Sequence, residues 1–277
     1  MRTVWVKCVQ HARAAIAISA MSFAASACAA VDVASHPRTV QPERPSVATH
    51  AGTVAPAYVE IETGVEVDRI DNHSHSTQVP TVLKFGVAPR VQFSLLVPAS
   101  SAPGVSFGLG DVAAGFKFRV IDNHPWLSDV AILPQVKFST GDVRGTGTTD
   151  ASLLFINSRT FGPVDVDFNV GVTRRSGDGM KAPRNASMFA IAAGIPLHNS
   201  LAFALECFGF PGTSGPAGSA RTVSALFGPT WQVRPELALD AGLIRSIAGP
   251  QAPAWYVGLV TNLGRLPLPV AHSSKAR

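Results

Sequence analysis

The sequence predicts an all-β chain, an antiparallel transmembrane β-barrel of about 12 strands with long extracellular loops and short periplasmic turns. Three observations predict it. From residue 57 to residue 264 the chain is a succession of short runs in which apolar and polar residues alternate. Most runs have 9–12 residues, the length a tilted strand needs to cross the apolar layer of a bilayer, whereas strands of soluble sheets have about five or six. The connections between runs are long and short in turn, as in barrels with loops on one side of a membrane and turns on the other.

The chain starts with a different pattern. Arg2, Lys7 and Arg13 precede the apolar stretch Ala14 to Ala30, which ends in small residues. A basic region, a short apolar core and a small-residue end read as a signal peptide, cleaved after Ala29 or Ala30. Two other readings are weaker. Lipidation at Cys28 lacks the usual Leu three residues earlier, and an N-terminal anchor needs a longer apolar core. Residues 1–30 take away three basic residues and no acidic ones, leaving 20 basic against 18 acidic, so the net charge of +5 partly belongs to the leader and implies no nucleic-acid partner. With Cys8 and Cys28 in the leader, only Cys207 remains, and no internal disulfide is available to an exported chain. Residues 31–55 lack periodicity and carry Pro37, Pro42 and Pro45, which predicts a disordered N-terminal tail.

The alternating runs cover residues 57–68, 79–87, 89–97, 109–120, 128–138, 151–160, 164–174, 187–195, 199–208, 221–232, 235–245 and 253–264. Long connections at 69–78, 98–108, 139–150, 175–186, 209–220 and 246–253 alternate with short ones such as 161–163 and 233–234. An even number of strands puts both chain ends on the short-turn, periplasmic side. Residues 265–277 follow as a C-terminal tail.

The faces of the strands are segregated. In the run 164–174, Val164, Val166, Phe168, Val170 and Val172 share one side, and Asp165, Asp167 and Asn169 the other. Val59, Ile61, Val65 and Val67 oppose Glu60, Glu62, Glu66 and Asp68. Phe116, Phe118 and Val120 oppose Lys117 and Arg119. Val136 and Phe138 oppose Lys137, Leu205 opposes Glu206, and Leu239 opposes Asp240. A charge facing lipid at mid-bilayer costs about 2–4 kcal/mol, so the charged sides are expected to face a polar lumen. The predicted lumen-lining set is Glu60, Glu62, Glu66, Lys84, Lys117, Arg119, Lys137, Asp165, Asp167, Glu206 and Asp240.

Two stretches carry a resemblance. Gly108 to Val120, "GLGDVAAGFKFRV", has a Gly-x-Gly-Asp opening and an alternating strand ending Lys-x-Arg. Gly228 to Ser246, "GPTWQVRPELALDAGLIRS", has two strands about a tight turn. Both are similar to a family of outer-membrane barrels named for a pathway of phenol degradation and described as transporters. The resemblance covers about residues 56–264. It implies an outer-membrane location and passage of small, often aromatic, compounds, and it supplies no catalytic residues.

No catalytic, cofactor-binding or metal-binding set emerges. His73 and His75 lie in a predicted loop with no third ligand fixed by spacing, and a solvated pair is the plainer reading. The glycines of 108–111 and 145–150 lack a phosphate-cradling motif followed by a helix. No H-E-x-x-H, G-x-S-x-G or C-x-x-C occurs, so the chain is not expected to be an enzyme or to need a cofactor. The expected partners are outer-membrane lipid and a small-molecule solute. Three readings stay open: a diffusion channel in the bacterial outer membrane with lumen charges setting selectivity, a structural or surface-interaction barrel without transport, and a secreted soluble β-sandwich. Twelve strands fall between barrels filled by their own side chains and those with open channels.

Overall fold

A computed structural model of the chain describes residues 36–177, 179, 182–215 and 218–267. The leader read over residues 1–30, the first residues of the tail and the end of the C-terminal tail lie outside the described residues. The strands are β1 (Tyr58–Arg69), β2 (His75–Ala88), β3 (Val91–Ala102), β4 (Val105–Leu109), β5 (Ala113–His124), β6 (Ser128–Lys137) and β7 (Asp150–Phe161). They continue as β8 (Val164–Arg175), β9 (Asn185–His198), β10 (Leu201–Phe210), β11 (Thr222–Arg234), β12 (Leu237–Ala248) and β13 (Ala254–Arg265).

One sheet contains them all. Its order runs β2-β1-β13-β12-β11-β10-β9-β8-β7-β6-β5-β3-β4, and β2 also pairs with β3, which closes the ring. Twelve strands form the wall, every wall pairing is antiparallel, and β4 pairs only with β3 as a hairpin above the rim. A closed single sheet rules out the sandwich, which needs two packed layers. The short turns join β2–β3, β5–β6, β7–β8, β9–β10 and β11–β12 at one end. At the β7–β8 turn Gly162 has φ 59°, which suits the first position of a two-residue hairpin, and Pro163 follows.

Exposure is inverted relative to a water-soluble protein. Lys84 is 0% exposed and Lys117 1%, whereas Phe116 is 43% exposed and Trp255 49%. Phe155, Phe168, Val170, Val172, Ile191 and Leu205 are exposed with them. This is the expected lipid-facing side, an apolar belt around the wall. Exposed Trp126 and Trp231 sit toward the short-turn end, and Trp255 lies toward the other, as aromatic girdles do at the two interfaces.

Two expectations are corrected here. The connection 98–108 is not a bare loop. β3 runs on to Ala102, turns at Gly104 with φ 77° and returns as β4. The second concerns the tail read as disordered over residues 31–55: its residues 40–55 are ordered and threaded through the lumen. Val40, Ala48, Ala51 and Val54 are buried. The segment lacks period-2 alternation because its backbone groups pair with side chains of the wall instead of a neighbouring strand.

Candidate functional site: the occupied lumen

The lumen segment enters at the short-turn end, just before β1. Pro56 bridges to Gly86, and the Ala57 N–H donates to the Gly86 carbonyl at 2.7 Å. It then climbs along β2, β3 and β7. The Val54 N–H donates to Gln92 Oε1 at 3.0 Å, and the Ala51 N–H donates to Ser158 Oγ at 2.7 Å. Asn169 clasps Thr49 twice at 2.9 Å, accepting from its N–H and donating to its carbonyl. Glu206 accepts from the N–H groups of Val47 and Ala48 at 2.9 and 2.6 Å. The chain then descends. The N–H groups of Glu43 and Gln41 donate to Glu62 and Glu60 at 2.8 and 2.9 Å, and Val40 N–H donates to the Pro235 carbonyl in the β11–β12 turn at 2.8 Å. The segment is thus a hairpin-shaped insert reaching mid-wall and back. Nearly every wall partner is a polar residue on the inward side of a strand, so the same alternation that builds the barrel supplies the docking groups.

The predicted lumen set divides as follows. Lys84 lies 2.5 Å from Glu60 Oε1, also pairs with Glu62, and donates to the Gln41 carbonyl. Register explains the grouping, since Glu60 stands opposite Lys84 across β1 and β2. Lys117 pairs with Glu43 of the segment and donates to the His50 carbonyl at 3.0 Å. Asp240 lies 3.6 Å from Arg44. Asp167 accepts from Ser158 Oγ, and Asp165, exposed near the β7–β8 turn, accepts from Thr160 Oγ1. Glu66 is half-buried on β1. The remaining two are brought elsewhere. Arg119 pairs with Asp122 and Asp129 toward the short-turn rim. Lys137 pairs with Asp111 and Asp150 at the long-loop rim. The cations are therefore matched locally, each beside its own carboxylates. Glu43, Arg44, Gln92, Ser158 and Asn169 were missed as members of the site. The first two lie in the stretch read as a tail; the others are uncharged, and Asn169 alone of these shares a polar face with the predicted set.

Arg44 occupies a niche in the wall. A Cβ added at Gly64 or at Gly258 would lie 2.5 Å from its guanidinium, so glycine at both positions makes the room.

At the long-loop end Asp111 organises residues 139–149. Its carboxylate accepts from Gly141 N–H at 2.9 Å, Thr146 N–H at 2.7 Å and Lys137 Nζ at 3.0 Å. Burial pushes its pKa up, but these donors outweigh burial and hold it at about 2, below its ordinary 3.8. A folded-state pKa below the unfolded one gives stability that is complete above about pH 4 and is lost as pH falls toward 2. Asp111→Asn removes that charge while keeping the shape. Proteolysis at Arg144, whose side chain is tied to Ser106, is expected to quicken several-fold in this variant at neutral pH. An unchanged rate would mean that Asp111 does not hold the loop.

Among the described residues no group of three or more His, Cys, Asp or Glu is placed to hold a metal ion. Among the described residues a cavity lies toward each end of the lumen, and the segment lines the first of them. One of 310 Å³ at the short-turn end is lined by Pro42, Arg44, Asp165, Asp167 and Asp240 among others. One of 180 Å³ at the long-loop end is lined by Lys137, Asp150, Arg175, Met188 and Phe210 among others.

No family model matches the chain, and no curated protein matches it. Solved structures do. The fold is similar to that of the COG4313 outer membrane channel from Pseudomonas putida F1, with a TM-score of 0.56 at 12% identity over 80% of this chain and 99% of that one. A looser likeness, TM-score 0.49 at 12% identity over 73% of this chain and 98% of that one, is to the KdgM porin in complex with disordered oligogalacturonate. The chain has the all-β, closed 12-strand antiparallel barrel fold of outer-membrane channels.

Proposed function

We propose that the chain is a bacterial outer-membrane channel, delivered by a leader cleaved near residue 30, that passes small solutes by diffusion, aromatic ones included. The inverted exposure around a closed wall carries this reading: charge inside and an apolar belt outside fit a lipid surround and a wet interior. The resemblance to the phenol-degradation barrels supports the solute class, and the two cavities provide entry and exit. In this state the lumen segment stands between them. The same occupancy favours a second reading, a structural barrel whose interior is simply filled.

Planar-bilayer conductance separates the two. The mature chain is compared with a variant in which residues 40–48 are replaced by a Gly/Ser stretch of equal length. A channel is expected to conduct strongly in the variant and weakly in the parent. Absence of conductance in both would leave the structural barrel.

The orientation has its own test. Ser214 lies in the long connection after β10, and Asn199 in the short β9–β10 turn. An epitope tag at Ser214 should be reached by antibody on intact cells and one at Asn199 should not. The opposite pattern would invert the barrel.

A further inference from the structure

The lumen segment is held in two different ways along its length. Its root, residues 49–57, is held by the neutral groups Asn169, Ser158, Gln92 and the backbone of Gly86, with one charged donor, Lys117, on the His50 carbonyl. Ala51 is packed against Ala131 and Ile156 of the wall. Its tip, residues 40–48, is held mostly by charges: the carboxylates of Glu60, Glu62 and Glu206, the Glu43–Lys117 pair and the Arg44–Asp240 pair. Ion pairs rehydrated on separation recover the solvation they had lost, so their net contribution is small against their Coulomb energy. A close-packed root held largely by neutral groups has no such compensation. The tip is the part built to leave.

What the tip blocks is equally specific. Ala48 joins an apolar cluster with Ala190, Ala192, Phe208, Leu226, Ile244, Ala254 and Tyr256, on the inner side of β9 to β13. Ala192 also lines the short-turn cavity, while Met188 and Phe210, which pack on the cluster, line the long-loop cavity. The cluster is therefore the partition between the two cavities, and Ala48 is the tip's share of it. Toward the short-turn end the inward positions of β9 to β11 beside it are small, Gly194, Ala202, Ala204 and Gly228, whereas Phe208, Leu226, Ile244 and Tyr256 fill the cluster itself. The β1–β3 and β5 side is instead filled by Lys84, Lys117, Gln92 and their partners.

We propose that residues 40–48 are a gate hinged on residues 49–57, that the Glu43–Lys117 pair latches it, and that the path it opens runs past the apolar cluster along the small inward residues of β9 to β11. This rests on the channel reading. The path avoids the lysines that the sequence points to as selectivity groups, and the gate withdraws toward the short-turn end, where its chain already emerges beside Pro235.

The test uses the full chain in planar bilayers. Glu43→Lys and Lys117→Glu each set like charges against each other and should raise conductance several-fold. The double variant restores an opposite pair and should return it to the parental level. On the Glu43→Lys background, Ala204→Trp should cut conductance several-fold, whereas Ser94→Trp, on the inward side of β3, should not. Unchanged conductance in both single variants would overturn the latch, provided that the Gly/Ser replacement of residues 40–48 conducts. If that replacement is silent as well, the channel reading fails instead. Conductance that stays high in the double variant would mean damage, not unlatching. A block by Ser94→Trp without one by Ala204→Trp would place the path on the other wall.

Discussion

Phe116→Arg is expected to lower the stability of the barrel in lipid vesicles by about 2–4 kcal/mol, the cost of a guanidinium on the lipid face near mid-bilayer. Phe116 points outward from β5, and its ring lies 5.2 Å from that of Phe93 and 6.2 Å from that of Phe118, centroid to centroid. Each such aromatic pair adds about 0.5–1.5 kcal/mol that arginine also forfeits. Phe116→Leu keeps an apolar group and should lose only the aromatic share. Urea titration of the refolded proteins in vesicles reads both. Equal, small effects of arginine and leucine would place Phe116 away from lipid. The next residue, Lys117, obeys different physics: it points inward, and its substitution acts through Glu43 rather than through the bilayer.

Lys84→Met should be the most damaging change inside the lumen. Lys84 is fully buried between Glu60 and Glu62, which are 0% and 2% exposed, and it also supports the Gln41 carbonyl. Removing the cation leaves two buried carboxylates side by side, and breaking a buried pair in this way costs about 3–5 kcal/mol. Both carboxylates also receive N–H groups of the lumen segment, so the loss should spread to residues 41–43. The triple variant Lys84→Met, Glu60→Gln, Glu62→Gln removes the mismatch and should recover most of the loss. Urea midpoints in vesicles measure both. A single variant as stable as the parent would mean that the three groups are hydrated rather than buried against each other.

The wall was legible because two constraints act on every one of its residues. The pleat sets the period at two, and lipid forbids charge on one side. The run 164–174 accordingly returns as β8 with one residue added, its Phe168, Val170 and Val172 outward and Asn169 inward. Faces were legible, but partners were not. Nothing in β5 alone says that Lys117 meets a residue of the N-terminal segment, or in β6 that Lys137 meets Asp111. The Lys84 grouping was closer to reach, since consecutive strands pair and the register puts Glu60 beside it. Residues 40–55 escaped because proline and polarity are read as disorder when a segment is considered alone. Their order is supplied by Glu60, Glu62, Gln92, Asn169 and Glu206, which lie on four different strands. A sign was present in the sequence: the inward faces carried more acid than the wall's own lysines at that depth could match, and Arg44 was the absent partner of Asp240.

The occupied lumen is tested most directly by amide hydrogen exchange of the unaltered protein in lipid vesicles, read on the peptides covering residues 40–55. The N–H groups of Val47, Ala48, Thr49, Ala51 and Val54 are bonded to wall side chains away from solvent, so they should exchange far more slowly than those of the connection 211–215. Residues 49–54 should be slower than residues 40–48, as fits a fixed root and a releasable tip. Exchange of the whole segment at the rate of that exposed connection would contradict the account.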